Sequence, residues 1–409
     1  MMRRLQQGIV AVALVAALGP PARAQESFFA LQFLGISEET GDVRARGMGL
    51  LGIGLEDAST AITLNPASLA SLERMTFSIM GLAGRHTATD GTISDGRGWA
   101  RFPHLRFALP VFGQAVVSAG FVGGRNFAGA YSLPDASIAD FTYTQSFRRD
   151  GTLYSIPLGV AHRFGKHVQA GITLDFILGT VDESWTSGGD SLVSLRTRRR
   201  DTFSGRGITL GVVAHPLPQL TLGASLSPEF KVDRTEHYTV EDGRSAGAPA
   251  LRDSSSLAEV HLPLALRAGG SLAIGARLKV GTDVLWRDWD AYDGRLYGLS
   301  GADPVVGERR IGAGLEFSPH QPLWWGRTAY RLGASRATWP QRVGGEELHE
   351  TGVHAGVGVP LRSGMGRIDV GFEFARIGNL DDNGARENVW RILVGFSGQE
   401  VWRRKSTGR

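Results

Sequence analysis

The sequence predicts an all-β protein, a transmembrane antiparallel β-barrel of about 14 strands. Three observations support this fold class: an N-terminal leader that indicates export, a period-two alternation of apolar residues from Met75 onward, and a regular alternation of short and long connections. Successive side chains of a strand point to opposite faces, so a barrel strand alternates lipid-facing apolar with lumen-facing polar residues. After the leader no segment reaches about 18 consecutive apolar residues, so transmembrane helices are not predicted.

The leader is residues 1–24. Arg3 and Arg4 give a basic start, residues 9–18 are apolar, and Ala22-Arg23-Ala24 has the small-x-small pattern of a cleavage site. These features predict a secretory signal peptide that is removed. The alternative is a signal anchor, which the short apolar run disfavours.

Composition narrows the class of exported protein. The chain has no cysteine, and 56 of its 409 residues are glycine, against a usual share of about 7%. Without disulfide bonds, an exported chain needs a large core or a continuous hydrogen-bonded framework. A soluble periplasmic protein and a membrane barrel both satisfy that requirement.

Period-two alternation continues through the rest of the chain, and no long stretch after Met75 has the 3.6-residue period of a helix. In residues 367–374, for example, Ile368, Val370 and Phe372 share one face. Fourteen such segments begin near Met75, Trp99, Gln114, Thr152, His167, Phe203, Gln219, Glu259, Lys279, Glu308, Gly326, Glu350, Gly366 and Glu387.

The connections between these segments alternate in length. Short links at 110–113, 165–166, 215–218 and 275–278 alternate with predicted long loops at 126–151, 182–201, 231–257 and 290–307. Outer-membrane barrels have tight periplasmic turns and long surface loops, whereas a soluble sandwich has no reason to alternate so regularly. We therefore predict the bacterial outer membrane as the location.

The polar face of the segments is expected to line the lumen. Eight charged residues are predicted to point inward: Asp175, Asp283, Arg287, Glu316, Arg331, Asp369, Glu373 and Arg391. The alternative to a functional role is that they only pair with one another as lumen packing.

The net charge is +4, with basic clusters at Arg196, Arg198, Arg199 and Arg200 and in residues 403–405. Export disfavours a nucleic-acid patch, so no nucleic-acid partner is expected. Solvated loop charge, or contact with anionic lipid headgroups, is the preferred interpretation.

Residues 41–72 differ from the rest, reading GDVRARGMGLLGIGLEDASTAITLNPASLASL. This segment resembles the start of the FadL/TodX family of outer-membrane transporters for hydrophobic compounds, and also a sister group, the PorV/PorQ-like proteins associated with type IX secretion. The shared residues are Arg46, Gly47, Met48, Gly49, Asp57, Ala58, Ser59, Asn65, Pro66, Ala67 and Leu69. Leu50 replaces a usual third glycine and Glu56 a usual aspartate. The barrel itself matches in strand number and in a closing pattern that ends near Trp402.

The resemblance implies a barrel over residues 75–402 whose lumen is plugged by an N-terminal hatch, residues 25–74, followed by a basic tail, residues 403–409. It also implies that a hydrophobic ligand lands near the surface loops, enters the lumen and leaves through a side opening when the hatch moves. The hatch and gate residues carried over are Arg46, Gly47, Met48, Gly49, Asp57, Asn65, Pro66 and Ala67. The alternative is that this motif holds the plug and never moves.

Aromatic residues in the predicted loop between strands three and four are candidates for the ligand landing site. They are Phe127, Tyr131, Phe141 and Phe147, with Leu133 and Tyr143 nearby. Ordinary loop packing is the alternative.

Motifs for catalysis are weak. Residues 47–52 match GxGxxG without the surrounding βαβ unit, residues 243–247 match GxSxG in a polar loop, and His349-Glu350 with His354 misses the zinc-protease spacing. The sequence predicts no enzyme, no cofactor and no metal site.

The function predicted is hatch-gated passive uptake of hydrophobic small molecules, of the long-chain fatty acid or aromatic hydrocarbon class. A scaffold role with secretion-system proteins as partners is the main alternative, and the hatch disfavours a water-filled porin. Outer-membrane lipid and lipopolysaccharide are further expected partners.

Overall fold

The structure is a computed structural model that describes residues 27–31, 35–38, 41–61, 64–111, 114–138, 141–189, 192–242, 250–289, 305–319, 327–361 and 365–400. The predicted signal peptide and basic tail lie outside these residues and stay predictions. None of the helices found in the described residues has the length and apolarity to cross a membrane.

One antiparallel sheet contains every strand and closes on itself, because the last strand pairs with the first strand of the wall, Met75 opposite Glu400 through Thr89 opposite Arg386. The strand segments are β1 Ile36–Ser37, β2 Met75–Thr89, β3 Ser94–Pro110, β4 Ala115–Asn126, β5 Gly129–Ile138, β6 Phe141–Phe164, β7 Val168–Gly189, β8 Leu192–Leu217, β9 Leu220–Ser227, β10 Phe230–Asp242, β11 Arg252–Leu262, β12 Ala265–Ile274, β13 Leu278–Arg287, β14 Glu308–Phe317, β15 Ala329–Val343, β16 Glu346–Pro360, β17 Gly366–Ile377 and β18 Arg386–Glu400.

Fourteen strands form the wall. β1 belongs to the N-terminal segment, and the pairs β4/β5, β9/β10 and β11/β12 are each one wall strand with a two-residue break. Pro228 and Pro263 occupy two of these breaks, where a missing N–H interrupts the ladder. The predicted fold class and strand number are confirmed.

The outer face carries an apolar belt. Its side chains are far more exposed than a soluble surface tolerates, for example Val160 at 48%, Leu332 at 59% and Ile392 at 55%. A closed sheet satisfies its own backbone hydrogen bonds, so this belt can face lipid. The protein is therefore a membrane β-barrel.

Three of the predicted long loops are wrong. The stretches 126–151, 182–201 and 231–257 are largely the hairpins β5/β6, β7/β8 and β10/β11, which extend the sheet beyond the apolar belt; most of 290–307 lies outside the described residues. Beyond the lipid the outer face meets water, so the apolar alternation that marks a lipid-facing strand is lost. Thr, Val and Tyr still favour strands there.

Short helices punctuate the N-terminal segment. They are two 3-10 turns, Phe29–Leu31 and Pro66–Ser71, and the helix α1, Val43–Gly47; a further short helix, α2, Leu380–Asn383, lies in a surface turn. Asp42 caps α1 by accepting from Ala45 N at 2.8 Å, and Asn65 caps the second 3-10 turn by accepting from Ala67 N at 3.0 Å.

Candidate functional site

The described residues of the N-terminal segment, between 27 and 72, pack along the inner face of the wall from one end to the other. At the surface end, Ser27 Oγ donates to Glu387 at 2.7 Å, and Phe29 is fully buried in a cluster with Trp339 and Leu348. At the periplasmic end, Leu72 lies in a cluster with Ala161. The segment thus occupies the lumen that the wall encloses.

Glycines on the inner face make room for this segment. A Cβ on Gly333 would lie 2.2 Å from Gly49 N, and one on Gly312 would lie 1.9 Å from Gly49 O. Further inward glycines in backbone contact with the segment are Gly171, Gly223, Gly314 and Gly356. The high glycine content therefore has a structural reason that the sequence alone did not reveal: wall and segment meet backbone to backbone.

Buried ion pairs fasten the segment to the wall. Arg44 donates two hydrogen bonds to Glu316, at 2.8 and 2.6 Å, and Arg46 donates two to Glu373, at 2.8 and 2.6 Å. Bidentate arginine–carboxylate pairs fix geometry as well as charge. Of these, Arg44 was not among the predicted gate residues.

A third buried ion pair between the segment and the wall involves Asp57. Arg367 donates to Asp57 at 2.8 Å and to Asp369 at 2.7 Å, and Arg331 bridges Asp369 and Glu316 at 2.6 and 2.7 Å. Burial opposes the charge of Asp57, but Arg367 and Arg44 outweigh it and hold the pKa of that carboxyl well below its ordinary value. Asp57 therefore stays ionised at neutral pH.

Asp42 differs, because burial dominates there and raises the pKa of its carboxyl to about 6, despite the hydrogen bond from Ala45 N.

Two polar side chains hold backbone groups of the segment. Asp283 accepts from Gly52 N at 2.5 Å and Ile53 N at 2.7 Å. Asn65 donates to Ile53 O at 2.9 Å and to Val212 O at 3.0 Å. Both satisfy groups that would otherwise be buried without partners.

The eight charged residues predicted to line the lumen all have partners there. Beyond those already described, Arg287 pairs with Glu308 at 2.8 Å, Arg391 approaches Glu373 at 3.4 Å, and Asp175 accepts from Ser155 and Thr209 at 3.1 and 3.0 Å. Among the described residues no group of three or more histidine and acidic side chains could hold a metal.

The predicted landing residues do not lie together in one loop. Phe127 is fully buried in the break between β4 and β5, stacked on Phe203 with ring centroids 6.4 Å apart. Tyr131 and Phe147 form an aromatic cluster with Trp185, with ring centroids 4.2 to 6.2 Å apart. Trp185 was not among the predicted landing residues. The Phe141 side chain lies outside the described residues.

The wall has a gap between β3 and β4. Their ladder runs from Pro110 opposite Val116 to His104 opposite Val122 and is not seen beyond it in the described strands. β1 pairs with the free edge of β4 instead, Ile36 opposite Asn126, and Glu38 N donates to Gly124 O at 2.8 Å. The Glu38 carboxylate also contacts Arg101 of β3. The N-terminal segment thereby bridges the two diverging strands.

A cavity of about 140 Å³ adjoins this gap. Val122, Leu153, Phe230, Leu262 and Trp289 give it an apolar side. Arg106, Asp175, Arg267 and Arg287 give it a polar side. Toward the surface it continues into the buried apolar cluster of Phe127, Leu153, Val181, Phe203, Val232, Val260 and Trp289.

Solved structures share this architecture. The chain is similar to the Ralstonia pickettii toluene transporter TbuX, with 16% identity, TM-score 0.63, and 88% of this chain and 99% of that chain covered. It is also similar to a Pseudomonas aeruginosa FadL homologue, with 13% identity, TM-score 0.63, and 89% of this chain and 99% of that chain covered. For the Pseudomonas putida toluene transporter TodX, the identity is 12% and the TM-score 0.57, with 94% of this chain and 100% of that chain covered. No curated protein sequence gives a significant match.

The fold therefore defines a bacterial outer-membrane β-barrel of the FadL/TodX architecture, as the N-terminal resemblance implied. A family model described as BamG matches residues 1–407, so the chain belongs to the BamG family. Two of the structures named above are toluene transporters and the third is a FadL homologue, in agreement with the expectation that the chain is not an enzyme.

Proposed function

We propose that this protein is a passive channel for hydrophobic small molecules across the outer membrane, and that residues 27–72 act as its hatch. The observation that carries the proposal is the mixed apolar and polar cavity beside the β3–β4 gap. Two structural neighbours, TbuX and TodX, are toluene transporters, which supports the proposal.

The proposed route begins at the aromatic cluster of Tyr131, Phe147 and Trp185. The ligand passes the buried apolar cluster around Phe203 and reaches the cavity. Since the hatch fills the lumen toward the periplasm, the exit is sideways, between β3 and β4, when β1 leaves the edge of β4. The described contacts that hold that strand include its short ladder with β4, a hydrogen bond from Arg125 to Gly35 O and the ion pair of Glu38 with Arg101. This is a smaller set than the contacts of the whole hatch, so release of the strand costs less.

Cavity size favours one of the two predicted ligand classes. An apolar cavity of about 150 Å³ accepts one benzene molecule. At about 140 Å³, this cavity fits a single aromatic ring or a few carbons of an alkyl chain. Aromatic hydrocarbons are therefore the proposed substrates, and an extended fatty acid would require displacement of the hatch.

Filling the cavity tests the route. Ala265 lines the cavity and is 2% exposed, whereas Ala268, on the same strand, is exposed on the outer face. We expect Ala265→Trp to lower uptake of a labelled aromatic hydrocarbon into liposomes at least tenfold. Ala268→Trp, the matched control, should transport like the parent. Equal uptake by both variants would contradict the route and favour the scaffold role.

Deleting residues 41–69 tests the gate. We expect the deletion to let a small polar solute leak through liposomes, because the ties from Arg44, Arg46 and Asp57 are lost while the wall keeps its own ladders. Aromatic uptake should lose its selectivity over polar solutes. Tight liposomes with unchanged aromatic uptake would remove the gating claim.

A further inference from the structure

Four strands of the wall share an outward pattern that neither the hatch nor the cavity explains. On each, the lipid-facing row is apolar from the periplasmic end and ends in an exposed arginine at the surface end. The four arginines are Arg85 on β2, Arg309 on β14, Arg336 on β15 and Arg376 on β17. On β14, for example, the outward row from the periplasmic end toward the surface includes Phe317, Leu315 and Ile311 and ends at Arg309. The arginines therefore lie at the outer border of the apolar belt.

These arginines lack the partners that other arginines have. In the lumen, Arg44 and Arg46 pair with Glu316 and Glu373, and the outward Arg200 pairs with Asp182 at 2.6 Å. Within the described chain, Arg85, Arg309, Arg336 and Arg376 have neither a salt bridge nor a hydrogen bond from their side chains. Several unpaired cations side by side repel one another, so an anion from outside the chain would stabilise them.

The strand register brings two of them together. Arg336 is opposite Thr351, and Thr351 is opposite Arg376, so the three residues form one row across β15, β16 and β17. Asn388 of β18 extends the row opposite Arg376. With strands about 4.8 Å apart, the two arginine backbones are separated by roughly 10 Å, with a hydroxyl between them. Two guanidinium groups flanking a hydroxyl fit the oxygens of one phosphate group.

We propose that the row of Arg336, Thr351, Arg376 and Asn388 binds the phosphate of a phosphorylated glycolipid in the outer leaflet, the class to which lipid A of lipopolysaccharide belongs. Arg309 and Arg85 flank the row and extend the basic surface along the belt. The row lies at the border of the apolar belt, which favours a lipid phosphate over a free phosphate. The acyl chains of the same lipid molecule would lie against Phe372, Leu332 and Val353, on the membrane side of the row.

The test measures binding of lipid A to the purified full-length protein in detergent. We expect the parent protein to bind lipid A with two phosphates at least tenfold more tightly than phosphatase-treated lipid A. Arg336→Ala with Arg376→Ala should abolish that difference. The matched control, Arg148→Ala with Lys231→Ala, removes two exposed basic side chains that have carboxylate partners and should bind like the parent.

Two outcomes would overturn the proposal. One is unchanged lipid A binding by the Arg336 and Arg376 double variant, with its folding verified by heat-dependent mobility on a gel. The other is displacement of lipid A by inorganic phosphate at the same phosphate concentration, which would assign the row to free phosphate. Conversely, phosphorylated glycolipid that co-purifies with the parent and control but not with the double variant would support it.

Discussion

Gly49→Ala is expected to displace the hatch from the barrel wall, so that the barrel conducts continuously in a planar bilayer. Gly49 has φ +80°, and an added Cβ would lie 2.5 Å from Ala313 O and 2.6 Å from Ala334 O. The left-handed conformation alone costs an alanine about 1–2 kcal/mol. The contacts are with wall backbone, which cannot give way without breaking the ladder of β14 and β15. The hatch, and not the barrel, should therefore move.

Two further variants separate strain from contact. Gly345→Ala, at φ +83° with nothing within 4 Å, carries the conformational strain alone and should leave the channel closed. Gly333→Ala approaches the same point from the wall, where its Cβ would lie 2.2 Å from Gly49 N, and should conduct like Gly49→Ala. Closed channels in both Gly49 and Gly333 variants would show that close backbone approach does not hold the hatch.

The barrel was predictable because lipid imposes a pattern on the sequence. Residues such as Val370 and Phe372 must be apolar and their neighbours Asp369 and Glu373 need not be, so each strand that faces lipid has its own period-two signal. Above the membrane that constraint ends. The stretch from Arg196 to Asp201 is strand, yet its run of four arginines, a threonine and an aspartate carries no apolar signal, so the sequence predicts a loop there.

The site was less accessible to sequence reasoning, since its contacts join residues far apart in the chain. Arg44 and Glu316 are 272 residues apart, and a single sequence does not show which carboxylate each arginine meets. The N-terminal motif located the segment and Arg46, but not the bridge that β1 makes across the β3–β4 gap. Inward glycines on one strand could have predicted the contact between wall and segment. Gly312 and Gly314 are both inward, and glycine in a strand can indicate that another backbone approaches closely.

Glu373→Ala is expected to loosen the hatch around α1 at least a hundredfold in amide exchange. Glu373 is 1% exposed and accepts two hydrogen bonds from Arg46, while Arg391 and His354 approach it at 3.4 and 3.5 Å. Removing it leaves two buried guanidinium groups without this carboxylate. Breaking a buried pair in this way costs about 3–5 kcal/mol. Since the wall ladders of β16, β17 and β18 remain, the lost free energy should weaken the attachment of α1 to the wall rather than the wall itself.

Hydrogen–deuterium exchange of the amides from Ala45 to Met48 measures this effect. The control is Glu259→Ala, the same substitution at an exposed pair with Lys231 on the outer face, where solvent screens the charges and the pair adds little to stability. Exchange at α1 should be unchanged in the control and fast in Glu373→Ala, with Glu373→Gln between them because it keeps one acceptor oxygen. If Glu373→Ala exchanged as slowly as the control, the glycine contacts alone would hold α1, and the buried charges would serve only to match one another in the lumen.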